Sequence, residues 1–196
     1  MARSNPYRND PRTREAKRRG FPARSVFKLE EIDQRLRLLK QGQRVLDLGA
    51  APGSWSMYAS RRVGSTGRIL AVDIAPIPRS LGANVTVVQG DALSLDPGHL
   101  AAFAPYDVVL SDMAPSTTGQ REGDAARSAA LYVGAVEVAA ALLVEGGSFV
   151  GKIFMGAEFE ASRARTREVF GQVRVIRPEG TRPNSVEVFL VGLQKR

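Results

Sequence analysis

Several residue types that carry enzyme chemistry are scarce or absent in this sequence. Its 196 residues include no cysteine and a single histidine, His99. The lack of cysteine excludes disulfide bonds, thiolate metal ligands and a cysteine nucleophile. One histidine is too few for a histidine-based metal centre, and it argues against a serine–histidine catalytic triad. We therefore predict no metal site, and we look for catalytic groups among the lysines and acids.

Long apolar runs are also missing. No run of about 18 or more apolar residues occurs, so the sequence predicts no transmembrane helix. The N-terminal segment is charged, and no apolar segment follows it as it would in a secretory signal. These features favour a cytoplasmic protein without a membrane partner.

Acidic residues are scarce at the N-terminus, where positive charge is concentrated. The chain has 28 Lys and Arg against 20 Asp and Glu, a formal net charge of +8. Within residues 1–24 the acids are Asp10 and Glu15. The cations there are Arg3, Arg8, Arg12, Arg14, Lys17, Arg18, Arg19 and Arg24. Such a surplus favours a polyanionic partner. We predict that residues 1–20 form a flexible basic arm that grips RNA, the alternative being a solvated arm without a ligand.

Strand-like and helix-like patterns alternate through the rest of the chain, which predicts one α/β domain over residues 21–196. Helices are expected at 26–39 (ended by Gly42), around Trp55 and Tyr58, at 124–144 (ended by Gly146-Gly147) and at 158–170. Strands are expected at 44–48, 68–72, 85–88, 106–110, 148–154, 173–176 and 186–191. The last two have no room for a helix between them, so we expect a Rossmann-like, seven-stranded, mostly parallel sheet whose last strand is antiparallel.

Glycines and acids follow the first three strands, at the edge where such sheets bind ligands. The turn Asp47–Gly53 allows a close backbone approach, and Asp73 ends the second strand. An acid in that position can accept hydrogen bonds from ribose hydroxyls, and Asp91 after the third strand can accept one from an adenine amino group. The turn lacks the G-x-G-x-x-G pattern of dehydrogenases. An adenosine ligand without a diphosphate, such as S-adenosylmethionine, therefore fits better.

Charged residues also interrupt apolar segments. Lys28 lies in the first predicted helix, while Lys152 and Glu187 lie in predicted strands and Asp112 follows the fourth strand. Singly, each of them is more often an edge or snorkelling residue. Together, two lysines and two acids can neutralise one another in a single pocket.

These motifs resemble those of the FtsJ (RrmJ) family of RNA ribose 2′-O-methyltransferases, from about Arg14 to the C-terminus. The matching strings are Arg24–Leu29, Asp47–Gly53 with Trp55-Ser56, Ser111–Pro115, Gly151–Phe154 and Ser185–Val188. The resemblance implies the fold of S-adenosylmethionine-dependent methyltransferases. The catalytic residues that it implies are Lys28, Asp112, Lys152 and Glu187. The implied cofactor contacts are Gly53, Trp55, Asp73, Asp91 and Asp112.

The resemblance also implies a role for each member of this tetrad. Lys152 would hold and deprotonate the ribose hydroxyl, Asp112 would orient Lys152, and the other two residues would balance the charge. Three positions depart from the family pattern. Ser54 replaces a common glycine, Ser116 a frequent asparagine, and Phe189 a tyrosine whose hydroxyl would lie on the substrate side.

The expected substrate is RNA, in particular 23S-type ribosomal RNA within the large subunit, with the protein acting as a monomer. Three alternatives stay open at this point: a transfer-RNA ribose methyltransferase, a non-catalytic ribosome-assembly factor and a dehydrogenase. The complete tetrad weighs against the second, and the missing G-x-G-x-x-G weighs against the third.

Overall fold

In the computed structural model, helices and strands alternate along the chain. The structure describes residues 10–78, 80–179, 181 and 185–196. The helices are α1 (Pro11–Arg18), α2 (Val26–Leu36), α3 (Ser54–Val63), α4 (Pro97–Leu100), α5 (Arg121–Leu142) and α6 (Phe159–Val169). The strands are β1 (Arg44–Leu48), β2 (Arg68–Asp73), β3 (Val85–Gln89), β4 (Tyr106–Ser111), β5 (Leu143–Phe154), β6 (Phe170–Ile176) and β7 (Glu187–Lys195).

Within the described residues, seven strands form one sheet in the order β3-β2-β1-β4-β5-β7-β6. The first five strands pair in parallel, because each connection returns the chain to the same end of the sheet, through helices except between β2 and β3. Strand β7 runs antiparallel to both β5 and β6. The expected mostly parallel sheet with an antiparallel last strand is thereby confirmed.

Helices cover both faces of this sheet, and each face has its own apolar core. On one face α5 and α6 pack on the strands, with Tyr132 and Phe149 in edge contact at 5.6 Å between ring centroids. On the other face α2 and α3 enclose Leu29, Trp55 and Phe189, which are at most 2% exposed. Burial on this scale is the main source of stability for such a domain.

The first predicted helix is shorter than its apolar period suggested. It was expected to continue to Leu39, but α2 ends at Leu36 because Arg37 adopts a left-handed conformation with φ 54°. The Asp33 carbonyl accepts a hydrogen bond from the Arg37 amide, and Asp33 Oδ1 accepts one from the Leu39 amide at 2.8 Å. The buried Asp33 side chain thus binds the backbone just after the helix, at Leu39, and this contact sets the end of α2.

The long alanine-rich helix also differs from the prediction at its end. The expected helix over 124–144 is displaced to Arg121–Leu142, and β5 begins directly at Leu143. Leu143 pairs with Tyr106, and the register then shifts before regular pairing resumes. Gly146-Gly147 lies inside this irregular strand and does not terminate a helix.

Part of the predicted flexible arm is helical and packed on the domain. Residues 1–9 lie outside the described part of the chain, so the expectation for them stays a prediction. For residues 10–20 it is corrected: Ala16 on α1 is fully buried, and Phe21 just after the helix is 2% exposed. Arg24 Nη1 lies 2.7 Å from Asp10 Oδ2. Apolar anchors and this ion pair hold the helix in place.

Among the described residues, α5 is long and apolar enough to cross a membrane by length and composition alone. Its position in the core accounts for that composition, because one side of it packs on the sheet. The buried residues of α5 are Asp124, Ala125, Ser128, Ala129, Tyr132, Ala135, Val136 and Ala139.

Candidate active site

A cavity of about 480 Å³ opens at the carboxyl ends of β1, β2 and β4. Its walls come from the turn after β1, the loops after β2 and β3, the segment after β4, and one residue of α5. The lining residues are Gly49, Ala51, Asp73, Ile74, Ala75, Gly90, Asp91, Ala92, Asp112, Met113, Ala114 and Leu131. Doubly wound sheets bind their ligands at this edge.

The turn after β1 brings backbone to the cavity wall. Gly49 has φ +75°, and a Cβ there would lie 2.8 Å from the Met113 amide nitrogen. The amides of Gly49 and Ala50 both donate to the Val72 carbonyl, at 2.9 and 3.1 Å. Because this position has neither space nor a suitable conformation for a side chain, the glycine is required by the shape of the turn.

All three predicted cofactor acids, Asp73, Asp91 and Asp112, line the cavity. Asp73 Oδ2 accepts from the Ala51 amide at 2.8 Å, and Oδ1 accepts from the Ala75 amide at 2.7 Å. Each carboxylate oxygen keeps a further lone pair for a ligand hydroxyl. Asp91 Oδ1 accepts from the Leu93 amide at 3.0 Å. These backbone bonds fix both carboxylates before any ligand is present.

The other two predicted contacts, Gly53 and Trp55, lie outside the lining of this cavity. Gly53 has φ +105° at the start of α3, where a Cβ would lie 2.4 Å from Leu81 Cδ2. Trp55 is 2% exposed, and its Nε1 donates to the Ser25 carbonyl at 2.9 Å. The structure gives both residues packing roles next to the turn, and direct contact with a cofactor stays a prediction.

Lys152 and Asp112 form the first of two ion pairs beside the cavity. Lys152 Nζ lies 2.9 Å from Asp112 Oδ1 and donates to the Asp112 carbonyl at 2.6 Å. The lysine side chain is 8% exposed and that of Asp112 is 19% exposed. A lysine this deeply buried needs such a partner, because desolvation opposes its charge. Since Asp112 also lines the cavity, the pair borders the predicted cofactor site.

Lys28 and Glu187 form the second pair. Lys28 Nζ on α2 lies 2.5 Å from Glu187 Oε1 at the start of β7. The exposed fractions of the two side chains are 17% and 12%. This contact joins residues far apart in sequence across the edge of the sheet.

The β5–β7 ladder brings the two pairs together. Lys152 is the ladder partner of Phe189, and Phe154 is the partner of Glu187. Because alternate residues of a strand share a face, Lys152 and Glu187 point to the same side. Lys28 Nζ lies 5.9 Å from the centre of the Phe189 ring. All four predicted catalytic residues therefore surround one end of the β5–β7 pair.

The departures from the family pattern also have definite places. Phe189 is fully buried against Trp55, with 5.7 Å between ring centroids. Ser54 is 1% exposed, and Ser116 is exposed in the segment after β4. The position where a tyrosine was expected is thus occupied by a core side chain.

Asp47 is a site residue whose role the sequence reasoning missed. It lies in β1, is fully buried, and its Oδ2 accepts from Ser56 Oγ at 2.5 Å. Burial raises the pKa of Asp47 to about 7; the Ser56 hydrogen bond opposes the shift, and the Asp112 and Asp73 carboxylates add to it. Its signal was visible, since a charge interrupts an apolar strand there just as Lys152 does in β5.

Comparisons with known proteins agree with this geometry. The sequence model of the FtsJ-like methyltransferase family matches residues 21–195. The "Ribosomal RNA large subunit methyltransferase E" of Sorangium cellulosum is 63% identical over 193 residues, which are 98% of this chain and 91% of that protein.

Solved structures share the fold. A structure from Plasmodium falciparum described as a ribosomal RNA methyltransferase has a TM-score of 0.76 at 23% identity, covering 89% of this chain and 99% of that one. Fibrillarin from Aeropyrum pernix, in complex with S-adenosyl-L-methionine, has a TM-score of 0.62 at 19% identity, covering 80% and 68% of the two chains.

Proposed function

Since the chain belongs to the FtsJ-like methyltransferase family, we propose that it transfers the methyl group of S-adenosylmethionine to a ribose 2′-hydroxyl of large-subunit ribosomal RNA. The observation that carries this proposal is the placement of two lysine–acid pairs beside a cavity with the shape and the hydrogen-bond acceptors for adenosine. The complete tetrad favours this enzyme over a binding protein that keeps only the fold.

The cavity suits S-adenosylmethionine. Asp73 is fixed to accept hydrogen bonds from the ribose hydroxyls, and Asp91 to accept one from the adenine amino group. The side chain of Ile74, 71% exposed at the cavity wall, offers apolar surface to the base. Gly53 and Trp55 enter the proposal as cofactor-site residues next to the Gly49 turn. When bound, the cofactor supplies an electrophilic methyl group on a sulfonium.

The chemistry assigned to the tetrad is alignment and proton removal. Lys152 Nζ, fixed by two contacts to Asp112, holds the 2′-hydroxyl, and its amine form takes the hydroxyl proton as the new carbon–oxygen bond forms. The bound cofactor would supply the methyl group and would keep the electron pair of the carbon–sulfur bond on its sulfur. Lys28 and Glu187 neutralise each other on the same face of the β5–β7 pair as Lys152. Alignment of the reacting atoms supplies a large part of the acceleration.

Charge and relatives support the choice of RNA. The net charge of +8 favours a polyanion, and the Sorangium relative is named for the large ribosomal subunit. A ribosomal substrate places the enzyme in the cytoplasm. We propose a monomer, because the site is assembled from side chains of one chain.

The proposal is tested by transfer of labelled methyl from S-adenosylmethionine to large ribosomal subunits that lack the modification. Wild-type protein should label a ribose 2′-oxygen of the rRNA. Lys152→Ala should lower the rate by at least about 100-fold while cofactor affinity stays within about threefold. Lys40→Ala, at an exposed lysine remote from the site, is the control and should retain full activity.

Two results would contradict the proposal. Near-wild-type turnover by Lys152→Ala would show that Lys152 is not the group that takes the proton of the 2′-hydroxyl. Cofactor binding without transfer to subunits or rRNA would refute the ribosomal substrate, and labelling of transfer RNA instead would replace it.

A further inference from the structure

The first turn of α3 holds the segment that leads into α2. Ser54 Oγ accepts from the Ala23 amide at 2.8 Å and donates to the Ala23 carbonyl at 3.1 Å. The next residue, Trp55, donates from Nε1 to the Ser25 carbonyl at 2.9 Å. Two successive side chains thus make three hydrogen bonds to Ala23 and Ser25 in the α1–α2 connection.

Side chains of neighbouring segments hold this connection, since Arg24 also pairs with Asp10. Ser25, the N-cap residue of α2, makes no side-chain capping hydrogen bond. The start of α2 is therefore fixed from outside, by Ser54 and Trp55, although most helix starts are stabilised by a local cap. Lys28 lies in the first turn of α2, three residues after Ser25.

The same turn of α3 continues into the cofactor cavity. Ser54 follows Gly53, whose amide donates to the Ala50 carbonyl at 2.6 Å. Ala51, which lines the cavity, is fixed by Asp73. The hydroxyl of Ser54 therefore lies between the cofactor turn and the helix that carries Lys28.

From this geometry we infer that Ser54 is a positioning residue for the methyl-transfer reaction. Its hydroxyl holds Ala23, and through Ala23 and α2 it holds Lys28 at the distance from which Lys28 pairs with Glu187. The glycine that the family resemblance implies at this position would have no hydroxyl to do so.

Removal of the Ser54 hydroxyl should displace Lys28, because this hydroxyl is buried. Ser54 is 1% exposed, so water cannot easily replace it when it is removed. Without it, the Ala23 amide loses its partner and the Ala23 carbonyl keeps only the long bond from the Val26 amide, at 3.5 Å. The segment before α2 then depends on the Trp55 bond and the Arg24–Asp10 pair. Lys28 then samples positions away from Glu187. Such displacements lower the reaction rate, because small shifts of catalytic groups disturb the alignment of the reacting atoms.

A double-mutant cycle tests this inference, and its kinetic readout rests on the proposed function. Ser54→Ala should lower kcat about tenfold, with cofactor Kd within about twofold of wild type. In a Lys28→Ala background the same change should alter kcat by less than about twofold, since the residue through which Ser54 acts is gone. Effects that simply multiply in the double variant would overturn the inference.

Ser60→Ala is the matched control. Ser60 lies on the same helix and its Oγ bonds to Asn84 Oδ1, not to the α1–α2 connection. This variant should lower kcat by less than about twofold in either background. An equal effect of Ser60→Ala and Ser54→Ala would show a general loss of helix stability, and it would contradict a positioning role.

Amide hydrogen exchange gives a readout that needs no RNA. In Ser54→Ala, residues 21–28 should exchange at least about tenfold faster than in wild type, while Ser60→Ala leaves them unchanged. Unchanged exchange in Ser54→Ala would overturn the inference. If wild type methylates no ribosomal RNA, the proposed function fails, and the exchange result still decides whether Ser54 holds this segment.

Discussion

Asp47 Oδ1, like Asp112 Oδ1 and Glu187 Oε1, is buried without a hydrogen-bond partner among the described residues. Asp112 and Glu187 each pair with a lysine, whereas no ion pair among the described residues includes Asp47. A buried carboxylate in this situation favours its neutral form, since desolvation acts against the charge. The residue therefore links the stability of β1, beneath the cofactor turn, to pH.

The sign of this linkage follows from the pKa. In the unfolded chain Asp47 releases its proton near its ordinary pKa of 3.8, whereas in the folded protein burial raises the pKa to about 7. Between these values the folded state binds more protons, so the contribution of Asp47 to the free energy of unfolding falls as pH rises through this window.

Asp47→Asn removes that dependence. The free energy of unfolding of the variant minus that of wild type should rise by on the order of 2 kcal/mol from pH 5 to about 8.5. The reason is that only the wild type ionises a buried carboxyl group at position 47. Urea titrations of both proteins at several pH values measure the difference. A difference that stays constant with pH would show that Asp47 does not titrate in this range.

At the scale of the element, the turn between β1 and α3 can be compared with the irregular start of β5. Gly49 and Gly146 have nearly the same backbone conformation, with φ +75° and +76°. A Cβ at Gly49 would clash with the Met113 backbone, while the described residues leave open space within 4 Å at Gly146. Alanine substitutions at these two glycines therefore separate the free-energy cost of the left-handed conformation from the cost of steric crowding.

Gly146→Ala should cost only the left-handed conformation, about 1 kcal/mol in free energy of unfolding. Gly49→Ala should cost about 2 kcal/mol more, because backbone atoms must move. It should also weaken S-adenosylmethionine binding at least about tenfold, since the turn forms the cavity wall. Denaturant titration and calorimetry measure both effects. Equal stability losses in the two variants would contradict the predicted crowding at Gly49.

Local pattern predicted the helices and strands well, but not where α2 and α5 end. The spacing of apolar residues predicts whether a segment forms a helix or a strand, because it shows which face of the element is buried. The end of α2 depends on Asp33, a buried side chain that also accepts hydrogen bonds from Tyr58 and Arg62 on α3. A contact of this kind has no local signature. The same pattern indicated the four tetrad residues, because each is a charged residue within or next to an apolar segment. It did not predict that Trp55 packs outside the lining of the cavity.

At the scale of the whole molecule, the basic helix α1 is attached to the face that carries Lys28. Arg14 and Lys17 are exposed on it, and Arg19 Nη1 and Nη2 bond to the Glu30 carboxylate at 2.8 and 2.6 Å. The helix is therefore a fixed positive surface next to α2, which costs less entropy on RNA binding than a flexible arm does.

Replacing Arg14 and Lys17 with glutamine should weaken RNA binding and lower the slope of log affinity against log salt by about 1 to 2, as expected for two lost phosphate contacts. The same double change at Arg167 and Arg174, exposed on α6 and β6, is the matched control and should leave the slope unchanged. Affinities measured at several salt concentrations decide between them. Equal slopes for the two variants would refute an RNA surface on α1.

The place of β7 in the sheet has a consequence for synthesis of the protein. This strand is the last to be translated, yet it lies between β5 and β6 and supplies Glu187. Until it emerges, the nascent chain has two open strand edges, which are prone to association, and Lys28 has no acid to face. The proposed catalytic tetrad is therefore completed only after β7 has emerged and paired with β5.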